Sequence, residues 1–219
     1  MDKTNKSDYL RYIHQSKPRF FSYSLDWRFL LPIADTGKIR VVVEDDADLS
    51  QTLEQVGITI SNQLSFSNFK HDERNNTQSF VLPFGLPVRW VNARQEEQIE
   101  LYRSIRNMIC PGGYFLLGFE NSWNSRSNSQ SRFHPSTPRR VADQLDQAGF
   151  KATQIFGAMP DVCIPEYIFE LNDQAMYFAL KHRFRRKPVL LNMLRMLART
   201  FGLARISNFL PCYFAVATA

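Results

Sequence analysis

Short apolar runs alternate with stretches of helical spacing along this chain, and the two periods define its elements. Ile39-Arg40-Val41-Val42-Val43 is a β-branched run that reads as a buried parallel strand. Leu49-Ser50-Gln51-Thr52-Leu53-Glu54-Gln55-Val56 has helical spacing and stops at Gly57, a residue suited to the first position past a helix. Ile58-Thr59-Ile60-Ser61-Asn62 is a second strand, so the three form a strand–helix–strand unit with a right-handed crossover. Ser79-Phe80-Val81-Leu82-Pro83-Phe84 is a weaker strand, ended by Pro83 and Pro87. Residues 95–109 predict an amphipathic helix with Ile99, Tyr102, Ile105, Met108 and Ile109 on one side. Pro111-Gly112-Gly113 then reads as a helix stop and turn, followed by the strand Tyr114-Phe115-Leu116-Leu117-Gly118-Phe119. Ser136-Thr137-Pro138 opens a further helix with a hydroxyl cap and an early proline, and that helix runs to Ala148 and stops at Gly149. Residues 152–156 and 213–217 read as further strands.

The remaining segments connect these elements. Residues 1–24 form a polar and aromatic arm, and residues 26–33 form a short apolar helix or turn stopped by Pro32. Residues 67–78 and 122–132 are polar and predict loops. Strands alternating with helices predict an α/β fold around a mostly parallel sheet. The boundaries expected are 1–24 for the arm, 25–180 for the α/β domain, and 181–219 for a basic amphipathic helical segment with a final strand.

Composition narrows the function classes. With 219 residues, 44% of them hydrophobic and 22% charged, the chain suits one globular domain that needs no metal or disulfide staple. Cys110, Cys163 and Cys212 are scattered and form no metal-ligating spacing, so no metal site is expected. The N-terminus leads into no apolar signal segment, and no run approaches ~18 uncharged apolar residues, so a cytoplasmic location is expected. The net charge of +6 is local: no acid follows Asp173, while Lys181, Arg183, Arg185, Arg186, Lys187, Arg195, Arg199 and Arg205 do. Between these basic residues run Val189, Leu190, Met193, Leu194, Met196, Leu197, Phe201 and Leu203. Three readings of residues 181–210 stand open: a helix packed on the core, a helix on an anionic membrane surface, or a face for a protein partner. Nucleic acid is not expected, since no recognised motif or basic–aromatic interleaving is present.

The residues 101–117, an amphipathic helix leading through Pro111-Gly112-Gly113 into a buried strand, resemble a motif of class I S-adenosylmethionine (SAM)-dependent methyltransferases. Phe119-Glu120-Asn121, Ser136-Thr137-Pro138, Ala148-Gly149-Phe150, Gly157-Ala158-Met159-Pro160-Asp161 and Pro165 are similar, in the same order, to segments of methyltransferases found beside bacterial glycosyltransferase and polysaccharide genes. The resemblance implies a Rossmann-like three-layer αβα sandwich and a SAM cofactor. It also implies a small-molecule or glycan-type acceptor; the membrane-surface reading of residues 181–210 would fit a lipid-linked glycan and a place at the periphery of the inner membrane.

The same resemblance implies site residues. The cofactor would meet Glu44, Asp45, Asp46 and Ala47 after the first strand, Asn62 and Gln63 after the second, and Phe84 and Gly85 after the third. The family carries glycines after its first strand, and this chain has none there; four of the six residues from Glu44 to Leu49 are acidic. An acidic loop attracts the sulfonium and amino groups of SAM, but side chains fill space that glycine would leave open. Trp90, Glu120, Asn121 and His134 would line the acceptor, with His134 as a general base. Each has a structural counterpart: Trp90 packing under the next helix, Glu120 and Asn121 capping a turn, His134 on a surface loop. Two function classes therefore stand side by side, a methyltransferase-like protein and a catalytically inactive binding or scaffolding protein on the same fold.

Overall fold

A computed structural model describes residues 26–31, 39–42, 59–61, 77–83, 86, 90, 93–122, 135–160, 162, 165–200 and 202–219. Among these residues eight strands form one sheet. They are β1 (Ile39–Val42), β2 (Thr59–Ser61), β3 (Thr77–Leu82), β4 (Ile109–Asn121), β5 (Pro135–Ser136), β6 (Lys151–Met159), β7 (Tyr167–Glu170) and β8 (Cys212–Thr218). Their order is β2-β1-β3-β4-β8-β6-β7, with β5 beside the end of β4. The helices are α1 (Gln95–Met108), α2 (Pro138–Gln147), α3 (Asp173–Arg183) and α4 (Pro188–Thr200), with 3₁₀ turns at Asp26–Leu30 and Ala204–Phe209. The predicted helix at 49–56, the arm at 1–24 and the loop tips at 67–76 and 123–132 lie outside the described residues.

The strands expected near 39, 58, 79, 114, 152 and 213 all stand in this one sheet. The sheet is mixed, where a mostly parallel one was expected. β2, β1, β3 and β4 pair in parallel, β8 runs antiparallel to both β4 and β6, and β7 runs antiparallel to β6. The reason is connectivity: strand–helix alternation ends at β6, and the chain then makes β7, α3 and α4 before returning between β4 and β6.

Alternation along each strand sorts its side chains to two faces. Phe80, Leu82, Phe115, Leu117, Phe119, Tyr213 and Ala215 share one buried cluster with Leu101, Tyr102 and Ile105 of α1 and Val141 and Leu145 of α2. Met176 and Leu180 of α3 and Leu194 of α4 join the same cluster. On the other face Ile39, Val41, Val81, Leu116, Phe214 and Val216 pack with Trp27 of the first 3₁₀ turn and Leu31 just after it. Among the described residues, all four α-helices therefore contribute to one core, and the opposite core is closed by a turn.

The Pro-Gly-Gly segment differs from its expected role. α1 ends at Met108, before the proline, and Ile109 is already extended. Pro111 disfavours helix at the residue before it, so the helix stops short. The segment lies inside β4 as an irregularity, where Thr77 pairs with Ile109 but Ser79 pairs with Tyr114. Gly112 has φ +79, and a Cβ on Gly113 would sit 2.4 Å from the Gln78 carbonyl oxygen. The two glycines thus let β4 bulge and close again on β3. The second predicted start is as expected: the Thr137 hydroxyl accepts from the Arg140 amide at 3.3 Å and Pro138 opens α2.

Candidate functional site at the carboxyl edge of the sheet

β1 is flanked on both sides by parallel strands, with Val42 level with Ser61 of β2 and Val41 level with Val81 of β3. The chain leaves β1 for β2 on one side and returns to form β3 on the other. Connections from β1 and β3 therefore depart in opposite senses, and open α/β sheets form their ligand crevice at such a reversal, outside the carboxyl ends of the strands. Val42, Leu82, Pro83 and Leu86 are buried at this edge, so its floor is apolar.

The segment after β3 is fastened at two points. A Cβ on Gly118 would fall 2.0 Å from the Pro83 carbonyl oxygen, so only glycine lets this backbone lie against β4. Farther on, Gln98 of α1 donates through Nε2 to the Trp90 carbonyl at 3.1 Å, and Gln144 of α2 donates to Gln98 Oε1 at 2.9 Å. Both glutamines are buried, so this amide relay ties the backbone of Trp90 to two helices. The Trp90 ring packs against the main core.

Glu120 and Asn121 end β4. Glu120 is half-buried and level with Cys212 of β8 and Pro135 of β5. Asn121 is buried, and its Nδ2 donates to the Leu210 carbonyl at 2.8 Å, the Tyr213 hydroxyl at 3.1 Å and the Asn208 carbonyl. Its main-chain amide donates to the Pro211 carbonyl at 2.9 Å. The Tyr213 hydroxyl in turn donates to the Ser207 carbonyl at 2.7 Å, and its ring stacks on Phe119 at 5.3 Å. Burial pushes the Tyr213 hydroxyl well above the usual tyrosine range, against the opposing effect of Asn121. Asn121 thus spends its amide nitrogen on holding the 3₁₀ turn Ala204–Phe209 to the edge of the sheet.

Of the residues selected from sequence, Trp90, Glu120 and Asn121 are described: the Trp90 ring packs on the main core, and Asn121 bonds the C-terminal turn. Glu44, Asp45, Asp46, Ala47, Asn62, Gln63, Phe84, Gly85 and His134 lie outside the described residues. Sequence reading missed Gly118, the Gln98–Gln144 pair and the Tyr213 partner of Asn121. Glutamines on the inward side of two amphipathic helices were the one available signal. A groove of about 410 Å³, lined by Tyr167, Phe169, Asn172 and Phe178 among others, lies at β7, the opposite end of the sheet from β1 and β3. Among the described residues no group of three His, Cys, Asp or Glu is placed to hold a metal ion, and no helix is long and apolar enough to cross a membrane.

The architecture matches that of solved methyltransferases. A SAM-dependent methyltransferase from Archaeoglobus fulgidus superposes with a TM-score of 0.55 at 13% identity, over 98% of this chain and 99% of that one. A SAM-dependent methyltransferase from Thermotoga maritima, described as a possible histamine N-methyltransferase, gives 0.50 at 9% identity, over 98% and 95%. No protein-family model and no curated protein matches the sequence. The fold is therefore the Rossmann-like one of class I SAM-dependent methyltransferases, reached with little sequence identity.

Proposed function

We propose that this chain is a SAM-dependent methyltransferase-like protein that binds its cofactor at the carboxyl edge between β1 and β3. The observation that carries the reading is the strand order β2-β1-β3, with all three parallel, which sets the reversal point where nucleotide-type ligands bind in such sheets. Glu44, Asp45, Asp46 and Ala47 follow β1 after Val43, Asn62 and Gln63 follow β2, and Phe84 and Gly85 follow β3 after Pro83. The donor set fits SAM by charge: carboxylates suit the sulfonium and ammonium groups, and side-chain amides can bond ribose hydroxyls. In the same reading the fold is a three-layer αβα sandwich.

SAM, when bound, supplies an electrophilic methyl group on its sulfonium. The chain's own task is positioning. Trp90, Glu120 and His134 would line the approach of a small-molecule or glycan-type acceptor, with Asn121 fixing that edge through its tie to the C-terminal turn. For a hydroxyl acceptor, His134 would take the proton that the oxygen must lose.

One feature favours a second reading, a binding or scaffolding protein that keeps the fold without the cofactor. The residues from Glu44 to Asp48 include no glycine, and side chains in place of glycines would compete for the space of the methionine moiety. Calorimetric titration with SAM and S-adenosylhomocysteine separates the two. Micromolar binding that Asp45→Arg abolishes supports the cofactor reading. No heat and no thermal shift at millimolar ligand would overturn the cofactor reading and support the scaffold.

A further inference from the structure

α4 carries two apolar faces, and one of them looks outward. Leu194 is buried in the main core at 5% exposure, with Leu191 half-buried beside it. Val189, Met193 and Met196 repeat at helical spacing on the other side and are 72%, 54% and 70% exposed, with Leu190 at the margin. The side chains of Leu197 and Phe201 lie outside the described residues. Soluble chains seldom leave such a stripe to water without use.

The charges around the stripe identify its occupant. Arg195 and Arg199 are exposed, four residues apart, about a third and about a quarter of a turn round the helix from the stripe. Arg185, Arg186 and Lys187 are exposed in the turn that leads into α4. No acidic residue follows Asp173. A second copy meeting this face would set one cluster of cations against another. A bilayer with anionic headgroups meets both features at once, apolar depth for the stripe and negative charge for its flank. The helix has 13 residues, about 20 Å long, too short to span a hydrocarbon core of about 30 Å, so it lies in the surface plane.

We propose that α4 is a membrane-surface helix that docks the protein on anionic lipid, with Val189, Met193 and Met196 inserted and Arg195, Arg199 and the Arg185-Arg186-Lys187 turn on the headgroups. The proposal is independent of cofactor binding, so either can fail alone. The test is flotation of the full chain on vesicles of phosphatidylcholine alone and of equal parts phosphatidylcholine and phosphatidylglycerol. The wild type is expected to float with the anionic vesicles, to stay behind with the neutral ones, and to be released by high salt. Val189→Ser, Met193→Ser and Met196→Ser combined should lower partitioning about tenfold or more. Arg195→Glu with Arg199→Glu should lower it several-fold, with the melting temperature retained because all five residues are exposed. Failure of the wild type to float, equal flotation on neutral vesicles, or a stripe variant that floats like wild type would overturn the proposal. So would concentration-dependent self-association, lost in the stripe variant, without flotation.

Discussion

Around β1 the strands are parallel and short, four residues in β1 and three in β2, and each exit leads into a long connection. Around β8 they are antiparallel and longer, with thirteen residues in β4, nine in β6 and seven in β8. β8 is buried from Cys212 to Ala217, pairs with strands on both sides, and has its entry pinned by Asn121. The contrast follows from chain direction. Parallel neighbours require crossovers, which gather loops at one edge, whereas the antiparallel pair β6 and β7 closes over a short connection. The antiparallel half thus supplies the longer, more buried strands, and the proposed site lies at the exits of the parallel half.

The contact between the halves is the most sensitive point. Gly118→Ala should cost about 3 kcal/mol or more, because its new methyl would meet the Pro83 backbone at 2.0 Å, and urea unfolding reads the loss. Asn121→Ala should cost about 2 to 3 kcal/mol by unfastening the C-terminal turn and leaving buried carbonyls unpaired, while leaving SAM affinity within a few-fold. Equal losses of stability and affinity would merge the two halves into one functional unit.

Tyr102 sharpens the comparison from inside the α1 packing. Its hydroxyl is buried and, among the described residues, finds no hydrogen-bond partner. Tyr102→Phe should therefore stabilise by about 1 kcal/mol. Burial raises the Tyr102 pKa, so the folded state holds the phenol neutral while the unfolded chain ionises above about pH 10. Stability should be unaffected by this group below that pH and fall as pH rises beyond it, and Tyr102→Phe should make the alkaline fall shallower. The smallest effect expected is at the Arg183–Glu166 pair, 3.2 Å apart and largely exposed, where Arg183→Ala should cost under about 0.5 kcal/mol in the same assay.

Elements with strong local signals were legible in the sequence. The β-branched run at Ile39–Val42, the period of α1, and the Thr137 cap with Pro138 correspond to observed elements within a few residues. β7 and α3 were not read, since four residues of Tyr167–Glu170 show little alternation and α3 lacks a sharply segregated face. The basic stretch at 181–210 spans the end of α3, α4 and a 3₁₀ turn, and Pro188, which suits a first helical turn, was the overlooked boundary. The antiparallel insertion of β8 could not be read, because periodicity reports burial and says nothing of neighbours. The partners of Asn121 were out of reach for the same reason, since they lie 87 to 92 positions away in the chain.

The most direct test of the central claim is a crystal structure of the chain grown with S-adenosylhomocysteine. The ligand should lie across the carboxyl ends of Val42 and Leu82, against the acidic residues that follow β1, with its ribose facing Asn62 or Gln63. An empty edge at saturating ligand, or the nucleoside seated beside β7, would contradict the account.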